Sequence, residues 1–348
     1  MPSKRTQVAP GPGDRVARAQ NGSQSAHNGR LRVADLQRSR LLDGAVAATE
    51  ELGWPNVSVA SITSRARVSR RTFYDLFRDR EDCLLAVLRA TQERIAAELH
   101  AACLDGLGWR ERVRGGLWVI LCFFDREPEL ARLCVVQSAL GGPQVSAWRL
   151  DVLARLAAIV DQGRSESERT GEVTQLAAEG SVGAVLAILN LRLSSGGEVS
   201  LRGLLGALMG LIVLPYLGSG EALRERKRAK PAPPVVSLLP EPTRAYRPGN
   251  NPLTTVPMRL TYRTVRVLEA IAQQSGASNR QIGELADIHD QGQVSKLLAR
   301  LQGLGLLANA AGHDTRTKGA PNAWSLTELG DRVIEHLSLD SESHRDAA

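Results

Sequence analysis

The chain has 348 residues, 43% of them hydrophobic, and a formal net charge of +7. So much apolar chain exceeds one compact core, which excludes a single small module and predicts two or three domains. A pI near 9.6 points to polyanions, nucleic acid first among them. The four cysteines Cys83, Cys103, Cys122 and Cys134 lack a C-x-x-C pair, so they read as buried free thiols in a reducing cytoplasm, not as a zinc module.

Residues 1–33 set Lys4, Arg5, Arg15, Arg18 and Arg30 among Gly, Pro, Ser and Gln, with no periodic apolar positions and no apolar signal-peptide core. A disordered basic arm is expected there. From Leu36 to Leu223 the apolar residues recur at three- and four-residue steps, the period of helices. Leu41, Leu42, Ala45, Ala48 and Leu52 form the face of a first helix that Gly53 stops. Ser58 caps a short second helix with Val59, Ile62 and Ala66 inward, and after Arg67 and Val68, Ser69 caps a third that runs to Phe77. Two short helices joined by a tight turn make a helix-turn-helix. Arg70 and Arg71 fall in the first turn of its second helix, where side chains reach base edges and arginine grips guanine with two parallel hydrogen bonds. Tyr74 has two readings, a phosphate contact or a core ring with its hydroxyl at the rim.

The string Leu41-Leu42-Asp43-Gly44-Ala45, then Gly53, Ser58-Val59-Ala60-Ser61-Ile62 and Val68-Ser69-Arg70-Arg71-Thr72-Phe73-Tyr74-Asp75-Leu76-Phe77 resembles the DNA-binding domain of the tetracycline-repressor (TetR) family. The resemblance implies that Val68 and Phe73 pack the reading helix and that Ser69, Arg70, Arg71 and Thr72 face the major groove. It further implies that Tyr74 meets a phosphate and that Arg80, where the family usually has lysine, meets another. Together with Ser58 these residues are the expected DNA-binding set. Arg67 stands where the family commonly has glycine and Thr63 where alanine is common; a left-handed Arg67 carries a strain of roughly 1 kcal/mol.

By the same resemblance, residues 83–224 are a helical dimerisation and effector domain. Leu176 to Leu193 and Leu201 to Leu217 read as two long helices in which Gly180, Gly183, Ala184, Ala187, Gly203, Gly206, Ala207 and Gly210 permit close approach, which suits a two-fold homodimer. The apolar run from Gly203 to Gly218 holds Pro215 and is shorter than the roughly 20 residues of a membrane span, so it reads as a buried helix and no membrane is expected. Trp118, Phe123, Phe124 and Trp148 form an aromatic group, with Trp109 nearby. It reads equally as a pocket for a small apolar effector or as ordinary core.

Residues 225–257 are a linker, with Arg226, Lys227, Arg228 and Lys230 followed by seven prolines from Pro231 to Pro252. Residues 258–340 form a second periodic block and 341–348 a disordered tail. Val265, Leu268 and Ile271 line one helix, and Ser278 with Gln281 makes a capping box for the next. In a third helix Val294, Leu297, Leu298 and Leu301 face inward, opposite Gln293, Lys296 and Arg300. A strand from Leu306, a basic excursion over residues 312–322 and a returning strand at Ala323 to Leu326 complete a winged helix. Val294-Ser295-Lys296-Leu297-Leu298-Ala299-Arg300-Leu301, Asp314-Thr315-Arg316 and Leu326-Thr327-Glu328-Leu329-Gly330 resemble MarR-type winged-helix domains. Gln293, Ser295, Lys296, Arg300 and Arg316 are therefore second DNA-binding candidates, the alternative being a surface for protein contact.

The expected fold class is mainly α: a TetR-like helix-turn-helix with its dimerisation and ligand domain over 34–224, then a small α+β winged helix. No H-E-x-x-H pair, phosphate-binding G-x-x-x-x-G-K-[ST] loop or G-x-S-x-G elbow occurs, so neither catalysis, a cofactor nor a metal is expected. The expected protein is a homodimeric, sequence-specific regulator of transcription on double-stranded DNA with a pseudo-palindromic operator, and a ligand-responsive repressor. The alternative is a DNA-binding or partner-recruiting regulator without an effector.

Overall fold

The computed structural model describes residues 33–167, 175–195, 200–232, 261–310 and 322–342. They form two compact units, one within Arg40–Asn250 and one combining residues up to Ser39 with those from Asn251 onward.

The first unit is wholly helical among its described residues. α1 (residues 33–52) buries Leu41, Leu42, Ala45 and Ala48 and ends at Gly53, whose φ of 70° is open to glycine at little cost. A 3-10 turn, Trp54–Asn56, leads to α2 (Val59–Ala66) and α3 (Arg70–Leu76). α2 opens with a reciprocal cap in which the Ser58 and Ser61 side chains accept each other's backbone amides, and it stops at left-handed Arg67, φ 54°. α1 and α2 touch at Gly44: a Cβ there would lie 2.7 Å from the Ile62 carbonyl oxygen and 2.9 Å from the Ala66 nitrogen. Backbone cannot yield as a side chain can, so Gly44→Ala is expected to destabilise this unit by about 1–3 kcal/mol, read as a lowered Tm in circular dichroism.

α4 (Arg80–Ala101), α5 (Trp109–Arg126), α6 (Pro128–Val135), α7 (Pro143–Asp161), α8 (Gln175–Ser194) and α9 (Leu205–Lys227) build the rest of this unit around Leu84, Leu88, Leu121, Phe123, Leu130 and Leu205. α9 continues past Leu217, where the expected helix ended. At Gly218, with φ 79° and ψ 179°, it reverses, and its last turns lie back along its first. A Cβ on Gly206 would lie 2.8 Å from the Arg226 carbonyl oxygen, and one on Gly210 3.0 Å from that of Ala222. A straight helix would hold Gly206 and Arg226 about 30 Å apart, and Gly210 and Ala222 about 18 Å. Gly206 and Gly210 therefore serve a contact within the chain, whereas Gly180, Gly183 and Gly203 face open space.

The helical stretch Leu201–Lys227 is longer than the apolar run seen in the sequence. By length and composition alone it and Leu176–Ser194 suffice to cross a membrane. The reversal at Gly218 is incompatible with Leu201–Lys227 acting as a single span. α8 is apolar on every side yet largely uncovered, with Leu176 71% and Leu191 68% exposed.

The thiols differ from the expectation at one position. Cys83 and Cys122 are buried and Cys134 half-buried, but Cys103 is exposed in a left-handed turn, φ 49°. Burial pushes the Cys134 thiol up to about 12. Iodoacetamide at pH 8 is expected to alkylate Cys103 well ahead of the other three, as peptide mass mapping reads, because a thiolate must be both formed and reached.

In the second unit, α10 (Tyr262–Gln273), α11 (Asn279–Leu285) and α12 (Gln291–Gly303) precede β1 (Leu307–Asn309), β2 (Trp324–Leu326) and α13 (Glu328–Glu342). The Ser278–Gln281 capping box opens α11. β1 and β2 pair antiparallel, Leu307 opposite Leu326 and Asn309 opposite Trp324. Val265, Leu268, Ile282, Val294, Leu298, Leu301 and Trp324 form the core, to which Val33 and Leu36 of the α1 start also belong. The expected basic arm, most of the linker, the excursion between the strands with Arg316, and the tail from residue 343 lie outside the described residues.

Candidate nucleic-acid interface

Ser69 positions α3. Its hydroxyl accepts the Thr72 amide at 3.1 Å and lies 2.8 Å from the Thr72 hydroxyl, so two of the expected base-reading residues organise the first turn together. Phe73 is fully buried beneath that turn and packs edge-on to Tyr74, ring centroids 5.5 Å apart. On the opposite side Arg70 and Arg71 are exposed, with no hydrogen bond or ion pair to any described residue. Tyr74 is 60% exposed, which favours the surface reading over the core one. The result is a rigid apolar base under two free guanidinium groups.

Arg80 is placed differently from the other members of the set. Its Nη1 donates to the carbonyls of Val57 and, at 3.3 Å, Pro55, and its guanidinium lies 5.1 Å from the Trp54 ring. It thus clamps the 3-10 turn that leads into Ser58. Sequence reasoning missed this because the acceptors lie more than twenty residues away and carry no side-chain signature.

Other contacts that sequence reasoning missed join the helix-turn-helix to the helices behind it. Asp79 caps α4, and in the first turn of α4 Glu81 accepts the amides of Gln144 at 2.9 Å and Val145 at 3.2 Å, so its carboxylate sits on the positive end of α7. Arg78, just after α3, donates to the Gln144 side chain at 3.0 Å. The Trp54 amide donates to Gln137 at 2.9 Å, and Arg132 pairs with Glu50 at 2.5 Å. The start of α7 is thus tied to Arg78 and Glu81, which follow α3 in the chain.

Three of the four aromatic effector candidates stand apart from the cleft that Trp148 lines. Phe123 and Phe124 are buried, 6.2 Å apart, with Arg94 and Arg126 flanking Phe123. The Trp118 indole donates to the Ala232 carbonyl at 2.9 Å, beside Arg114, which reaches Glu225 at 2.7 Å and the carbonyls of Arg228 at 3.2 Å and Ala229 at 2.9 Å. Arg114 and Glu225 are each 2% exposed. Without Arg114, buried Glu225 keeps only the longer ion pairs to Arg228 at 3.6 Å and Arg110 at 4.0 Å, so Arg114→Leu is expected to cost about 3 kcal/mol. It should also speed tryptic cleavage at Arg228, followed by mass spectrometry.

Trp148 lines a solvent-open cleft of about 480 Å³ between α4 and α7, whose lining includes none of the other three. In the second unit Lys296 and Arg300 are exposed on α12. The Gln293 amide is occupied at both ends, by Arg263 at 2.8 Å and Asp290 at 3.0 Å, and Ser295 accepts from Asn279 at 3.0 Å. Among the described residues no group of His, Cys, Asp or Glu is placed to hold a metal ion.

Residues 41–87 match the profile of the bacterial regulatory proteins of the tetR family. Among solved structures, the fatty acid degradation regulator FadR from Bacillus halodurans is similar at 16% identity and a TM-score of 0.44, over 51% of this chain and 94% of that one. A TetR-like transcriptional regulator from Rhodococcus sp. RHA1 gives 23% identity and 0.41, over 51% and 94%. FadR from Bacillus subtilis, in complex with stearoyl-CoA, gives 18% and 0.40, over 50% and 96%. No curated protein matches the chain. The amino-terminal domain is a TetR-family helix-turn-helix.

Proposed function

We propose that the protein is a sequence-specific DNA-binding regulator of transcription, acting as a homodimer and a ligand-responsive repressor on a pseudo-palindromic operator. The observation that carries the reading is the first turn of α3, where Arg70 and Arg71 stand free above the buried Phe73. Arginines so placed read guanine edges bidentately, with Ser69 and Thr72 beside them in the major groove, while Ser58 and Tyr74 fix the register on the phosphates. Arg80 holds the entry to α2 in shape and so supports the same surface from behind.

The uncovered apolar side of α8, with Leu176, Gly180, Gly183, Ala187 and Leu191 at helical spacing, supports association of two copies. Two copies would set their reading helices about 34–36 Å apart, in successive major grooves. An effector bound in the helical domain would release DNA by shifting α7 against the Glu81 and Arg78 contacts. The reading includes no catalytic step.

The second unit is proposed to be a MarR-like winged helix that adds a second DNA contact through Lys296 and Arg300. A protein-contact role for that unit is favoured by one observation, the engagement of Gln293 and Ser295 within the fold. Selection of bound duplexes from a random library tests the whole reading. A two-fold symmetric motif is expected; enrichment of no motif contradicts sequence-specific binding. Repeating the selection without residues 258–348 separates the two roles, since a second DNA contact predicts a shortened motif and a protein-contact role an unchanged one.

A further inference from the structure

The cleft between α4 and α7 is built by two facing helix stripes. Leu85, Arg89 and Gln92 come from α4, and Trp148, Asp151 and Arg155 from α7. Leu85 is buried at its base, and a hydrogen bond of 2.9 Å from the Trp148 indole to Gln92 ties the two helices together. That bond fixes the indole plane and satisfies its only donor, which leaves the ring face as an apolar surface.

The charges are unequal. Asp151 pairs with Arg155 at 2.6 Å, whereas Arg89 has no hydrogen bond or ion pair to any described residue. The lining thus carries one positive charge beyond its internal pair. Its volume of about 480 Å³ falls within the range of small-molecule sites.

We infer that this cleft is a binding site for a planar organic monoanion of the aromatic carboxylate class, its carboxylate held by Arg89 and its ring laid on Trp148. A guanidinium is suited to the task because its parallel N–H groups match the two oxygens of a carboxylate. The inference deepens the ligand-responsive reading by naming the chemistry of the effector, and it replaces the apolar ligand expected from the aromatic residues alone. Gln144 also lines the cleft, and its amide and side chain make the contacts to Glu81 and Arg78, so the site adjoins the link to α3.

The test uses the full-length protein and three matched pairs: benzoate, 1-naphthoate and indole-3-carboxylate, each against its neutral carboxamide. Titration calorimetry is expected to show at least one acid binding ten-fold or more tightly than its amide, with Arg89→Gln removing that preference. Arg89 is exposed and makes no hydrogen bond or ion pair to any described residue, so the variant is expected to keep the wild-type Tm. Binding of no acid, equal binding of acid and amide, or an acid preference that persists in Arg89→Gln overturns the inference. Operator affinity without ligand is measured in parallel. Retained operator binding with no acid preference sinks this site alone, whereas acid binding without any operator binding sinks the DNA-regulator reading and leaves the site.

Discussion

Replacing Arg70 and Arg71 together by alanine is expected to lower affinity for the selected operator by roughly 10²- to 10⁴-fold, while non-specific binding falls far less. The magnitude corresponds to two bidentate contacts worth about 1–3 kcal/mol each in a single half-site, so it is a lower bound for a dimer that makes four. Neither side chain has a hydrogen bond or ion pair to any described residue, so Tm should stay within about 1 °C of the wild type. Fluorescence anisotropy on the operator and on a scrambled duplex, beside a thermal melt, separates a reading role from a structural one. Equal losses on both duplexes would assign the arginines to phosphates instead of bases.

The second large effect concerns α8. Gly183 faces open space, on the same side as Leu176 and Leu191, so Gly183→Arg puts a long charged side chain where a second copy is proposed to sit, without disturbing the protomer. Sedimentation is expected to show a monomer with an unchanged helical spectrum. Operator affinity should drop by about 10²-fold or more, since two linked half-site contacts become one. Gly206→Leu is the instructive contrast. Its side chain would strike the Arg226 backbone, so loss of folding, not clean dissociation, is the expected outcome. A Gly183→Arg protein that remains dimeric would place the interface elsewhere.

Local features were legible in the sequence because they rest on short-range chemistry. Ser58, Ser69 and the Ser278–Gln281 box cap the helices expected of them, and Arg67 adopts the left-handed turn that its position demands. The buried Phe73 beneath two exposed arginines agrees with what the family resemblance implies. The small two-stranded sheet was likewise legible from the apolar segments that flank the basic excursion.

What the sequence concealed is non-local. Nothing near Gly218 announces that Ala222 and Arg226 return to Gly210 and Gly206, because glycine in an apolar run serves a dimer, a kink or a reversal equally well. Trp118 has the composition of a pocket residue, yet its indole is taken by the carbonyl of Ala232 in the segment after α9. Arg80 has the charge of a phosphate ligand, yet backbone carbonyls hold one of its nitrogens. Val33 and Leu36 stand in sequence beside the helix-turn-helix but belong to the core of the unit that holds Val265 and Trp324. Each case turns on which acceptor or apolar face lies opposite in space, a fact that periodicity does not carry.

Hydroxyl-radical footprinting of the full-length protein on its selected operator tests the central claim most directly. Two protected half-sites, centred about 10–10.5 base pairs apart and both erased by the Arg70→Ala, Arg71→Ala pair, are the predicted result. Protection that ignores sequence, or that survives the double substitution in a folded protein, would contradict it.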